Sequence, residues 1–162
     1  MAKRRDSTAT AQEKIGVKRL ALASLIAPLM SCSQPAQLEV KNPWTRDTVG
    51  SVANAAIFMS ITSPTEDRLV SASTPAARKT DLMTMGGGGN VMEMKYLQGI
   101  DLPANTPVSL NPTGLHVWLA NLHRPLKAGE TIPLTLRFEK AGDRQITVSV
   151  IAPSAPPPNS GG

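Results

Sequence analysis

The chain has 162 residues, with 17 Lys and Arg against 12 Asp and Glu, two Trp, one Tyr and two Phe. Six of the basic residues (Lys3, Arg4, Arg5, Lys14, Lys18, Arg19) and two of the acids lie in residues 1–32, so the remainder is nearly neutral, with eleven basic and ten acidic residues. This excludes a basic nucleic-acid surface with stacking aromatics, and two histidines with one cysteine offer neither a catalytic triad nor an H-E-x-x-H zinc motif, so no enzyme is expected.

Residues 1–32 read as a secretory signal. Lys18-Arg19 precedes an apolar stretch, residues 20–30, that is too short to span a bilayer. The basic leader is long for a signal, and a start near Val17 would explain it. The stretch ends Leu29-Met30-Ser31-Cys32, which resembles the lipobox of bacterial lipoproteins. Cys32 is then either a stray residue of the signal or the lipidated first residue of the mature chain. In the second case two or more acyl chains would anchor the protein stably to a membrane. Ser33 follows, and by resemblance to Gram-negative lipoproteins the lack of Asp there favours the outer membrane. As the only cysteine, Cys32 leaves no internal disulfide, so the fold must rest on its core. Residues 33–37 read as a polar tether. Residues 38–152 form the domain, and the Pro-, Ser- and Gly-rich residues 153–162 read as a disordered tail.

The domain pattern is β. Strands are predicted over 38–41, 54–62, 67–73, 79–85, 91–97, 107–110, 115–119, 131–139 and 144–151, with the clearest alternation in Ile132-Pro-Leu134-Thr-Leu136-Arg-Phe138 and Ile146-Thr-Val148-Ser-Val150. Pro- and Gly-containing turns separate them, and no stretch holds a helical period. Many short strands predict an all-β sandwich or Greek-key barrel. Pro133 should mark a sheet edge or a strand start.

Four of seven methionines fall within residues 83–94. Met83 and Met85 precede a glycine run at 86–89, and Met92 and Met94 follow it. Strand alternation puts each pair on one face. A hairpin pairing Met85 with Met92 would set Met83 opposite Met94 and gather four thioethers, soft donors that select Cu(I) over hard cations. The competing reading is ordinary core filler. The glycine run lacks the helix and lysine of a phosphate loop. Further on, His116 and Trp118 alternate onto one face, with Leu115, Val117 and Leu119 on the other. An imidazole can join a copper site once its second nitrogen is hydrogen bonded. Trp118 could only cover an ion or exclude water.

Ten residues separate Met83 from Met94, and twenty-one separate Met94 from His116. This spacing resembles the PCu(A)C family of periplasmic copper chaperones, whose pattern is His, ten residues, Met, twenty-one residues, His-x-Met. Supporting runs are Val40-Lys-Asn-Pro-Trp44-Thr-Arg46, Asn54-Ala-Ala-Ile-Phe58, Asp67-Arg68-Leu69-Val70 and the long stretch from His123 to Gly142. The resemblance implies a cupredoxin-like β-fold that holds Cu(I) and hands it to a cuproprotein, typically the copper centre of a respiratory oxidase. Met94 and His116 keep the family residue type, whereas Met83 stands at the first His position and Trp118 at the final Met position. The implied site is Met83, Met94 and His116 under a capping Trp118, with Met85 and Met92 as auxiliary donors. It is softer than the family site and poorer for Cu(II). His123 is expected at the surface and Trp44 in the core. The functional expectation is a membrane-anchored envelope metallochaperone or copper buffer. The alternative is a metal-free structural or partner-binding lipoprotein. A blue-copper centre is excluded by the lack of a Cys thiolate ligand.

Overall fold

A computed structural model describes residues 37–48, 50, 52–86 and 93–158. The predicted signal, Cys32, residues 33–36 of the tether, the tip of the methionine hairpin with Met92, and the last four residues lie outside them.

Ten strands form in chain order: β1 (Glu39–Arg46), β2 (Ala55–Thr62), β3 (Asp67–Ser73), β4 (Ala77–Gly86), β5 (Glu93–Leu97), β6 (Ile100–Leu102), β7 (Val108–Leu110), β8 (Leu115–Leu122), β9 (Thr131–Phe138) and β10 (Gly142–Ile151). They hydrogen bond in the order β5-β4-β8-β7-β2-β1-β10-β9-β3-β6, with β8 also pairing β2. The parallel contact of β1 with β10, Trp44 against Ser149, joins the two halves into a nearly closed all-β sandwich. The apolar residues of the alternating strands converge between the halves: Ile57, Ile61, Leu69, Val117, Leu119, Leu134, Leu136 and Val148 are fully buried in one cluster. Burial of such side chains is worth about 1.5–3 kcal/mol each, and it carries a fold that no disulfide supports.

All nine predicted strands are present, with β6 in addition. β6 is only three residues long, but Ile100 and Leu102 point into the core and Asp101 out. The first strand runs on past its predicted end at Lys41. A bulge, with Asn42 at φ 48°, shifts the register between Lys41 and Trp44, so the chain absorbs Pro43 and continues to Arg46. Pro133 marks neither an edge nor a start: it is the third residue of β9, a strand with neighbours on both sides, and it pairs Thr147 of β10. Its carbonyl faces the other way and accepts from the Thr74 hydroxyl, beyond the Thr135–Phe138 stretch that β3 pairs, so the missing N–H disrupts no ladder. The described part of the tail is tied to β1: the Arg46 guanidinium donates to the carbonyls of Ala152, Pro153 and Ala155.

Candidate metal centre

The face of β4 and β8 that turns away from the main core carries the chemistry. Antiparallel pairing puts Met83 opposite His116 and Asp81 opposite Trp118. On its other side β4 pairs β5, with Met83 opposite Tyr96 and Met85 opposite Met94. The sequence allows a pairing of Met85 with Met92; the observed register is offset from it by two residues. A shift of two preserves the face of every side chain, so Met83, Met85 and Met94 still share one surface, and Met94 is diagonal rather than opposite to Met83. Directly opposed side chains in such a pair have Cβ atoms about 4.5–5.5 Å apart.

Phe58 of β2 and Trp44 of β1 extend the same face. The rings of Trp44 and Phe58 lie 4.7 Å apart, those of Phe58 and His116 6.3 Å, and those of His116 and Trp118 6.3 Å, the last edge-on. Four of the five aromatic residues of the chain, counting Tyr96, are therefore on this surface. Trp44 is buried as expected, but beside the site and outside the main core cluster. Arg46 sits 5.3 Å over its ring.

His116 is fixed by the loop before it. The Asn111 side chain accepts from the Thr113 N–H and hydroxyl, and Gly114 N–H donates back to the Asn111 carbonyl. This Asx turn places the Gly114 carbonyl where it accepts two bonds, from Met85 N–H at 3.0 Å and from His116 Nδ1 at 3.0 Å. A carbonyl can only accept, so Nδ1 carries a proton, and in the neutral ring the lone pair is on Nε2. This backbone carbonyl is the orienting acceptor that the sequence could not name.

A pocket of about 180 Å³ opens over these groups, lined by Ala56, Phe58, Met85, Met94, Pro112, His116 and Trp118. His116 is 3% exposed at its floor and Met94 48% exposed at its mouth, while Met85 and Trp118 are half-buried. Met83 differs from expectation. It is 2% exposed and outside the lining, standing on the same face between its two cross-strand neighbours, His116 on β8 and Tyr96 on β5. Met85, expected as auxiliary, does line the pocket. Met92 and Cys32 lie outside the described residues. His123 is exposed and lies just past the end of β8, at the far end of that strand from His116.

The surroundings are close to neutral. Lys79 pairs with Asp81 at 3.0 Å and lies 5.1 Å over the Tyr96 ring. The hydrogen bond to the Asp81 carboxylate raises the Lys79 pKa above its ordinary value. Among the described residues no three His, Cys, Asp or Glu side chains cluster as a hard-metal site. The donors at hand are thioethers and one imidazole nitrogen, a set that suits a soft monovalent ion.

The LpqE-like family model, described as a lipoprotein family, matches residues 38–150. Lxx21020 of Leifsonia xyli subsp. xyli (strain CTCB07), a lipoprotein by name, is 34% identical over 85 residues, 51% of this chain and 50% of its own length, so the match spans half of that relative. Among solved structures, the copper-bound PCuAC domain from PmoF2 superposes with a TM-score of 0.62 at 25% identity, covering 73% of this chain and 95% of that one. The CuI-DR1885 solution structure from Deinococcus radiodurans gives 0.61 at 29% identity, covering 75% and 83%. The β-architecture is that of PCuAC domains, as the spacing of Met83, Met94 and His116 implied.

Proposed function

The chain belongs to the LpqE-like lipoprotein family and is homologous to PCuAC copper domains, and from that premise we propose that it is an envelope copper(I) carrier that passes its ion to a cuproprotein. One observation carries this reading: His116, locked by Gly114 into the tautomer that frees Nε2, floors a pocket whose mouth is made of the thioethers of Met85 and Met94. His116 Nε2 and Met94 are the principal ligands. Met85 completes the set from the rim, and Met83 flanks His116 from the neighbouring strand. Trp118 and Phe58 wall the ion from water. Cu(I) is cargo here, and binding it needs no change in the imidazole tautomer.

Transfer is by ligand exchange. An acceptor's donor atoms reach the ion on the open side, beside Met94, so copper never passes through water as a free ion. Lipidation at Cys32 would confine those encounters to a membrane surface, in keeping with the lipoprotein character of the family and of its Leifsonia relative. An oxidase copper centre is the type of client that fits this reading.

Competition titration against a Cu(I) chelator under reducing conditions tests the proposal. Met94→Ala and His116→Ala should each weaken Cu(I) binding by about tenfold or more, the loss of one soft donor. Unchanged affinity in both variants refutes it. The rival reading, a metal-free partner-binding lipoprotein, draws on the two altered family positions, Met83 and Trp118. It requires that neither Cu(I) nor Ag(I) raise the melting temperature of the wild-type domain.

A further inference from the structure

The donors of the site divide into two rows with opposite access to solvent. The inner row, Met83 and His116, is 2% and 3% exposed; the outer row, Met85 and Met94, stands at the rim, with Met94 at 48%. Met94 also lies on β5, which ends the sheet and, among the described residues, pairs only with β4. A second protected methionine, Met59, is 2% exposed in the core. Sulfur oxidation follows access, because the oxidant must reach a lone pair.

We propose that Met94 is a sulfoxidation site through which an oxidant of the hydroperoxide or hypohalous-acid class switches off copper binding; the binding half of this inference rests on the copper reading above. The Met94 sulfur lone pair attacks an oxygen of a hydroperoxide, or the halogen of a hypohalous acid. In the second case the halosulfonium formed takes its oxygen from water and releases halide and protons, again a two-electron oxidation of sulfur. With hydrogen peroxide, the O–O bond breaks, an S=O bond forms, sulfur is oxidised by two electrons and the peroxide is reduced to water. The product replaces a soft thioether with a polar sulfoxide whose exposed donor is a hard oxygen, which Cu(I) and Ag(I) disfavour. The same lone pair serves either the metal or the oxidant. Metal-loaded protein is therefore protected at Met94, and oxidised protein no longer loads.

The sequence supplies a convenient readout. Tryptic cleavage after Lys79 and Lys95 yields one peptide, residues 80–95, containing Met83, Met85, Met92 and Met94, and the fragment Met94-Lys95 at its end reports Met94 alone. The protein is treated with limiting hydrogen peroxide, with and without one equivalent of Ag(I), and the fragments are quantified over time. Met94 should oxidise about tenfold or more faster than Met83 and Met59, and Ag(I) should slow Met94 severalfold. The protein singly oxidised at Met94, and Met94→Gln as a polar stand-in, should both bind Ag(I) about tenfold or more weakly than untreated protein. Equal oxidation of Met83 and Met94 overturns the proposal. So does a sulfoxide form that binds Ag(I) as well as untreated protein, and that result leaves the copper reading standing. Untreated protein that takes up no Ag(I) sinks the copper reading and the switch together, and the selective oxidation of Met94 would then be chemistry without consequence.

Discussion

Met83 and Met94 carry the same side chain on the same face of one hairpin, but the structure gives truncation at the two positions very different costs. Met83 is 2% exposed between β5 and β8, so Met83→Ala removes a buried side chain and leaves a cavity. Such changes cost about 2–5 kcal/mol, and the low end, about 2–3, applies here because Tyr96 and Met85 sit on an edge hairpin that can close over the gap. Met94 is 48% exposed, and its truncation should stay within about 0.5 kcal/mol. Unfolding entropy of about 2.1 cal/mol/K per residue over about 115 residues makes 1 kcal/mol equivalent to about 4 °C in Tm. Met83→Ala should therefore melt about 8–12 °C lower than wild type and Met94→Ala less than about 2 °C lower. Ag(I) at a hundredfold excess over Kd adds about 2.7 kcal/mol, or about 11 °C, to the wild type. With about tenfold weaker binding, about half of that gain should vanish in Met94→Ala, and more if the loss is larger, even though its apo melting temperature hardly moves. Differential scanning calorimetry with and without Ag(I) measures both effects. Equal apo melting temperatures for the two variants would refute the division into a buried and an open row.

Two further outcomes follow from other parts of the molecule. Burial works to raise the Asp67 carboxyl, but N–H donors from Lys140, Arg68 and Ala141 together with the Lys140 ammonium outweigh it, so its pKa lies below the ordinary value. A depressed folded pKa means that its contribution is complete above the unfolded value near about 4 and is lost as pH falls through the folded one. Asp67→Asn should cost about 1–3 kcal/mol at neutral pH and flatten the acid limb below about pH 4, as read from urea midpoints across that range; an unaltered acid limb counts against the assignment. At the pocket, Trp118 lies edge-on to His116. Ag(I) should perturb tryptophan emission in the wild type, with most of the change lost in Trp118→Phe; a full response in the variant would place the ion elsewhere.

Parity was legible in the sequence and register was not. Alternation located nine strands and put His116 with Trp118 on one face and Val117 with Leu119 on the other. It also put the three described methionines of the hairpin on one face. It could not separate a Met85–Met92 pairing from the observed Met85–Met94 pairing, because both keep every side chain on the same side of the sheet. β6 escaped because three residues are too few to display a period, though Ile100-Asp-Leu102 carries the alternation in miniature. The predicted first strand ends at Lys41, short of Arg46, since a bulge at that point depends on a positive φ at Asn42 that no pattern reveals. The depth of Met83 was hidden for a different reason: its cross-strand neighbours decide it, and one of them, His116, comes from a strand much further along the chain. The Gly114 carbonyl was invisible as well, being a backbone atom that any residue would supply; the nearby Asn111-Pro-Thr-Gly114 turn was the available signal.

The position of β5 at the end of the sheet has a mechanical consequence. A terminal strand held by one ladder can peel and re-zip at a fraction of the free energy that holds the interior. β4 is clamped from both sides, and with it Met83, the partner of His116. The pocket is thus hinged to a stiff wall on one side and a yielding one on the other, and the thioether on the yielding wall can swing clear while the imidazole stays where the loop has put it.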